Sequence, residues 1–303
     1  MTEERGGLGI HLALAMLIFF WGAAYPIVKQ LLDWLSPLEL TLARFWIVLP
    51  PLVWLVLADR RELGALVRRH PWKVLALGFL GVPAYHLSLN LGTRLLKDDP
   101  ASAGSAAMVS AILVGTVPAW TALFARLAGQ ERLRPMQWAG QALSMTGTVF
   151  IATRGDLAAL NFHPGSLVVL GAPISWALYS VVARPLVASG RSSLPVTAFA
   201  VLLGTLMTSL AWPSGILGHM AALPALAWIT LAFIGLASTL AGYLIWSVAV
   251  RRLGANRPST YIYFIPVVSL VISALFLGER LGPATALGGG MILAGVLLIR
   301  RGA

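Results

Sequence analysis

One arginine stands where hydration is scarce. Arg44 lies within a predominantly apolar stretch, and a guanidinium there needs an anion or a full set of acceptors in place of water. Its characteristic chemistry is two-point capture of a carboxylate. The other use is a structural pair with a helix-end carbonyl or with Glu39, a little earlier in the same stretch. Four groups of aromatic and neutral polar residues accompany it. Trp21 and Tyr25 stand at i and i+4, with Lys29 at i+8, on one face of a helix. Tyr85, His86, Ser88 and Asn90 fall close together, His86 and Asn90 being i, i+4 neighbours. Trp176 and Tyr179, beside Ser180, form a third group, and Tyr243 and Trp246, after Thr239, a fourth. Ring faces can hold an apolar side chain or attract an amino group, and buried polar groups need partners. Each group therefore has two readings: the lining of an internal hollow, or packing and hydrogen bonding between helices.

Other chemistries find less support. The chain has no cysteine, which excludes disulfides, thiolate metal sites and cysteine nucleophiles. Its five histidines are scattered without ligand spacing, and no cofactor motif is recognisable. Ser105 and His86 would make an intramembrane serine hydrolase, but Ser105 sits in the small-residue run 101–107, better suited to close helix packing, and no oxyanion-hole motif accompanies it.

The elements that position these residues are membrane spans. The chain is 58% hydrophobic and 11% charged, with a mean hydropathy of +0.83. Soluble domains carry charge on about a quarter of their residues. Apolar stretches divided by charges, prolines and glycines predict ten spans, near 10–32, 37–58, 74–96, 101–128, 135–153, 165–188, 195–212, 225–251, 258–278 and 283–299. Backbone groups in hydrocarbon must pair within the segment, so the spans are helices. The first is too long for the core of a signal peptide and has no small-residue cleavage site, and it reads as retained.

The formal charge of +11 is topological, not a mark of nucleic-acid binding. Lysine and arginine crowd one set of loops, as in Arg60, Arg61, Arg68, Arg69 and Lys73, Arg126, Arg132 and Arg134, and Arg251, Arg252 and Arg257. The opposite side has only Lys29, Arg94, Lys97, Arg154 and Arg280. The positive-inside rule then places both termini in the cytoplasm. Most tryptophans fall near span ends, as an interfacial belt requires, whereas Trp21, Trp46 and Trp176 fall near span centres.

The chain is also written twice. At an offset of 148, Pro118 matches Pro266, Glu131-Arg132-Leu133 matches Glu279-Arg280-Leu281, and Pro135, Gly140 and Gly147 match Pro283, Gly288 and Gly295. At 154, Phe79-Leu80-Gly81 lies over Phe233-Ile234-Gly235; at 155, Trp21 lies over Trp176 and Lys29 over Arg184. The shared order marks a duplication, with one repeat in 1–155 and the other in 160–303. Five spans per copy is an odd number, so the second copy enters the membrane inverted.

Trp21-Gly22, the run from Pro37 to Arg44-Phe45, and Pro-x12-Glu-Arg-Leu in both halves together resemble the EamA-type drug/metabolite transporters, over essentially the whole chain. The resemblance implies an all-α polytopic fold of ten helices in two EamA repeats. It also implies export of small metabolites, often amino acids, and similarity to exporters of aromatic ones. The second half has no counterpart of Arg44. The resulting expectation is a multi-pass protein of a bacterial inner membrane that exports small amphipathic, amino-acid-like solutes by alternating access, without cofactor or metal and without a required oligomer. A channel-like pore is the alternative. None of the eleven acidic residues falls at the middle of a span, which leaves facilitated transport and coupling through His86 both open.

Overall fold

A computed structural model describes residues 2–152, 163–189, 193–277 and 283–301. Among these residues all regular structure is helical. Five helices are long and apolar enough to cross a bilayer: Leu8–Leu31, Pro71–Asp98, Ala103–Leu127, Pro164–Ala188 and Ala225–Leu253. The pair Pro37–Trp46 and Leu49–Ala58, bent by 51°, makes a sixth if taken as one span. Four of the ten predicted spans are occupied by shorter helices of 18, 16, 13 and 19 residues: Pro135–Ala152, Leu194–Ser209, Ile265–Leu277 and Pro283–Arg301. About 20 residues cross a hydrocarbon core unaided, so length and composition alone do not make these four spans. Glu279, Arg280, Arg154 and Arg191, as well as the boundary between the repeats, lie outside the described residues.

The helices that build the interior are α1 (Thr2–Leu31), α2 (Pro37–Trp46), α3 (Leu49–Ala58), α4 (Arg60–Arg69), α5 (Pro71–Phe79) and α6 (Ser88–Asp98). They are followed by α7 (Ala106–Val114), α8 (Val117–Leu127), α9 (Pro135–Ala152) and α10 (Pro164–Ser189). Then come α11 (Leu194–Ser209), α12 (Ile216–Ala221), α13 (Ala225–Phe233), α14 (Gly242–Leu253), α15 (Asn256–Ser259), α16 (Ile265–Leu277) and α17 (Pro283–Arg301). The start of α2 is fixed by a capping box. Ser36 Oγ accepts from the Glu39 amide, Glu39 Oε2 accepts from the Ser36 amide, and Pro37 occupies the first turn.

Two of the long helices are interrupted in the same way. The helix of α5 and α6 passes through a π-helical segment, Leu80–Leu87, and that of α13 and α14 through another, Ile234–Ala241. Both have eight residues, and their boundaries are separated by the 154-residue offset read from Phe79-Leu80-Gly81 and Phe233-Ile234-Gly235. Pro83 removes a backbone donor within the first segment. The second has no proline; there the Thr239 hydroxyl donates to the Ile234 carbonyl, five residues back, at 2.8 Å.

The duplicated glycines make a close helix crossing. A Cβ on Gly140 of α9 would lie 2.6 Å from the Gly295 carbonyl of α17, and one on Gly147 would lie 2.6 Å from the Gly288 carbonyl. Small residues let backbones approach this closely without a hydrophobic drive between helices. Gly147→Val is expected to lower stability by about 1–3 kcal/mol through overpacking, with the thermal midpoint in detergent as the measure. Gly289→Ala, where an added Cβ meets nothing within 4 Å, is expected to leave the midpoint unchanged.

Candidate functional site

The hollow lies where α1, α2, the two π-helical segments, α10 and α14 come together, closed by residues at the facing ends of α7, α8 and α16. The space within it open to the centre of a water-sized sphere is about 30 Å³. Seven of the eleven residues marked in the sequence line it: Trp21, Tyr25, Arg44, Tyr85, His86, Trp176 and Tyr243. The other four stand around it. Trp246 and Tyr179 back the rings of the wall. Ser88 abuts α10, its Oγ 2.7 Å from where a Cβ on Gly171 would lie. Asn90 donates to Thr41 Oγ1 at 2.9 Å and so ties α6 to α2. Lys29, on the predicted face of α1, reaches instead toward the Gly104 carbonyl at the helix end.

Arg44 is only 5% exposed, and neither structural partner expected for it is the one it has. Glu39 is occupied by the Ser36 cap and by His219 Nδ1 at 2.7 Å, and Arg44 donates to side chains rather than to a helix-end carbonyl. Its Nε donates to Thr239 Oγ1 at 2.5 Å, and its Nη1 to His86 Nδ1 at 3.4 Å. A guanidinium only donates, so His86 Nδ1 accepts and His86 Nε2 carries the proton. Nε2 then donates to the Tyr243 oxygen at 3.3 Å, and the Tyr243 hydroxyl donates to the Gly81 carbonyl. Both routes end on backbone carbonyls of the π-helical segments, Ile234 on one side and Gly81 on the other. Nη2 has no partner among the described residues, and no carboxylate there pairs with Arg44. Hydrogen bonds to a charge contribute about 1.5–3 kcal/mol each. Removing the ion from water costs several kcal/mol even after relaxation, so two neutral acceptors leave the site short of negative charge.

The rings form a second layer. Trp176 is the hub: its centroid lies 5.4 Å from Trp21 edge-on, 5.2 Å from Tyr243, 5.3 Å from Tyr85, 5.6 Å from Trp246 and 5.2 Å from the stacked Tyr179. Edge-to-face and offset pairs of this kind contribute about 0.5–1.5 kcal/mol each beyond burial. Trp21 Nε1 donates to the Ser238 carbonyl at 2.9 Å and Trp246 Nε1 to Ser180 Oγ at 3.0 Å. Trp176 Nε1, by contrast, is buried without an acceptor among the described residues. Trp46, the other mid-span tryptophan, stacks on Trp212 away from the hollow.

The sequence groups omitted most of the apolar wall: Val28, Leu89, Val114, Val117, Ile262 and Ile265. Two signals were available. Ala24 and Val28 share the helical face of Trp21 and Tyr25. Val114 and Ile262, like Val117 and Ile265, are separated by the offset of 148 that relates the repeats. The imagined serine dyad is not assembled: Ser105 Oγ donates to the Ser102 carbonyl, and His86 is engaged as above.

A multi-pass helical protein folded around an aromatic, guanidinium-bearing hollow has the build of a small-solute membrane transporter. The model of the EamA-like transporter family matches residues 8–153 and again 163–301, and the chain belongs to that family. It is 30% identical over 292 residues to a probable terminal-alkyne amino-acid exporter of Streptantibioticus cattleyicolor, covering 95% of this chain and 92% of that protein. It is 27% identical to an uncharacterized transporter of Archaeoglobus fulgidus, covering 96% and 98%. It is 28% identical to the inner membrane transporter YedA of Escherichia coli K12, over 64% of this chain and 62% of the relative. A solved crystal structure, 21% identical, superposes with a TM-score of 0.71 over 97% of this chain and 98% of its own, which shows a shared fold.

Thr239 carries the shortest bond to Arg44. Thr239→Val, close in shape, is expected to destabilise the protein by about 1–3 kcal/mol, because a buried charged donor loses its acceptor. Thr239→Ser should restore most of the loss, read as thermal midpoints of the two variants side by side.

Proposed function

We propose that the protein is a secondary carrier exporting small amphipathic metabolites, amino-acid-like and including aromatic ones, across a bacterial inner membrane. The observation that carries this reading is the composition of the hollow: an aromatic wall built in part from residues equivalent in the two repeats, around a guanidinium with no carboxylate partner. Arg44 holds the substrate carboxylate. The rings of Trp21, Trp176 and Tyr85 take its apolar portion, with Tyr25 beside them. His86 and Tyr243 position Arg44, and Tyr179, Trp246, Ser88 and Asn90 brace the wall.

The repeats are read as inverted, ten spans in all, with both termini cytoplasmic. Two contacts support a two-fold relation. Trp21 touches Trp176, its own counterpart. Gly140 meets Gly295 while Gly147 meets Gly288, so each glycine meets the counterpart of the other, as a two-fold axis requires. Equivalent halves can exchange conformations around a central site, which is alternating access. The reading does not call on an oligomer.

Counterflow of radiolabelled amino acids in proteoliposomes tests the carrier. Saturable uptake driven by trans-substrate is expected, and Trp176→Ala should weaken apparent affinity about tenfold through lost ring contacts. Uptake that rises linearly with concentration and shows no counterflow points to a pore instead. Topology has its own test, since the chain has no cysteine. Arg132→Cys and Arg280→Cys, introduced one at a time, should react with an impermeant maleimide from opposite faces of the membrane; reaction from one face alone overturns the inverted repeat.

A further inference from the structure

Resting on the reading of the hollow as the transport site, we propose that it takes hydrophobic monocarboxylates whose amino group is absent or masked by an acyl group, ahead of zwitterionic amino acids. Charge and unfilled hydrogen-bond donors in the hollow both favour such a ligand. Among the described residues no aspartate or glutamate lines the hollow, and Arg44 is the only arginine or lysine that does. Two donors stay unfilled among the described residues: Arg44 Nη2, without a partner, and Trp176 Nε1, buried and without an acceptor. Trp176 is 3% exposed and its Nε1 is fully buried, out of reach of bulk water, and Arg44 is 5% exposed.

A ligand suited to this wall brings acceptors and one negative charge. A monoanion brings the buried charge to zero. A zwitterion leaves it at one positive, and its ammonium adds three donors to a site already long in them. The ring faces are weak compensation. A ring face attracts an ammonium less strongly than a carboxylate would. An unpaired buried charge is the costlier outcome. An N-acyl group removes the ammonium and supplies a carbonyl acceptor, and an aryl-alkanoate removes the nitrogen altogether.

Four probes of one ring and similar length separate the cases: 3-phenylpropanoate, N-acetyl-L-phenylalanine, L-phenylalanine and L-phenylalanine methyl ester. Titration calorimetry on the purified protein in nanodiscs at neutral pH gives the order of affinities, and counterflow in proteoliposomes gives transport. The two monoanions are expected to bind about tenfold or more tightly than phenylalanine, with the ester weakest. Arg44→Gln should abolish the preference for the anions; the wild-type order stands as the test if that variant fails to fold. Phenylalanine binding as tightly as its N-acetyl form, with saturable counterflow, overturns this inference and leaves the carrier intact. Anion-selective binding without counterflow of any probe supports the inference and overturns the carrier. No saturable binding of any of the four overturns both.

Discussion

A guanidinium held out of water governs the interior. Arg44 only donates, so it dictates the direction of every bond in contact with it. His86 must accept at Nδ1, Tyr243 must accept from His86, and the Tyr243 proton must go to the Gly81 carbonyl. On the other side Thr239 accepts and passes its own proton to Ile234. Helices remote in sequence are thereby joined by one donor in the first half of the chain: α2, the two π-helical segments, and α14 through Tyr243. The irregular backbone of those segments sits inside the protein, the setting in which a membrane protein tolerates it.

Around this polar thread the aromatic wall supplies shape. Trp176 gathers five rings from three stretches of chain besides its own, and the equivalents Trp21 and Trp176 meet edge to face. The valines and isoleucines that close the hollow are themselves equivalent pairs across the duplication. The two halves thus contribute matched apolar surfaces and unmatched polar ones: Arg44 and His86 come from the first, Thr239 and Tyr243 from the second.

Much of this was legible in the sequence, and the reasons for the rest are physical. Helical spacing placed Trp21 with Tyr25, and the mid-span position of Arg44 marked it as unusual. Repeat offsets located a close crossing through Gly140, Gly147, Gly288 and Gly295, and membership in the EamA-like family agrees with the motifs that suggested it. The partners of Arg44 were not legible, because Thr239 and His86 are brought to it by tertiary packing across long separations and leave no local pattern. Ser88 and Asn90 share a stretch with Tyr85 and His86, yet the turn of the helix carries them to α10 and α2. The apolar wall went unread because Val114 and Ile265 look like any lipid-facing residue until the repeat offset is applied to them. The π-helical turns were also invisible: nothing in Ile234–Ala241 departs from ordinary helix-forming composition as Pro83 does in the first segment.

Those two turns are shared by both copies. π-helical stretches inside α-helices occur frequently at functional sites, and here each supplies a carbonyl, Gly81 or Ile234, that takes a hydroxyl from the polar thread around Arg44.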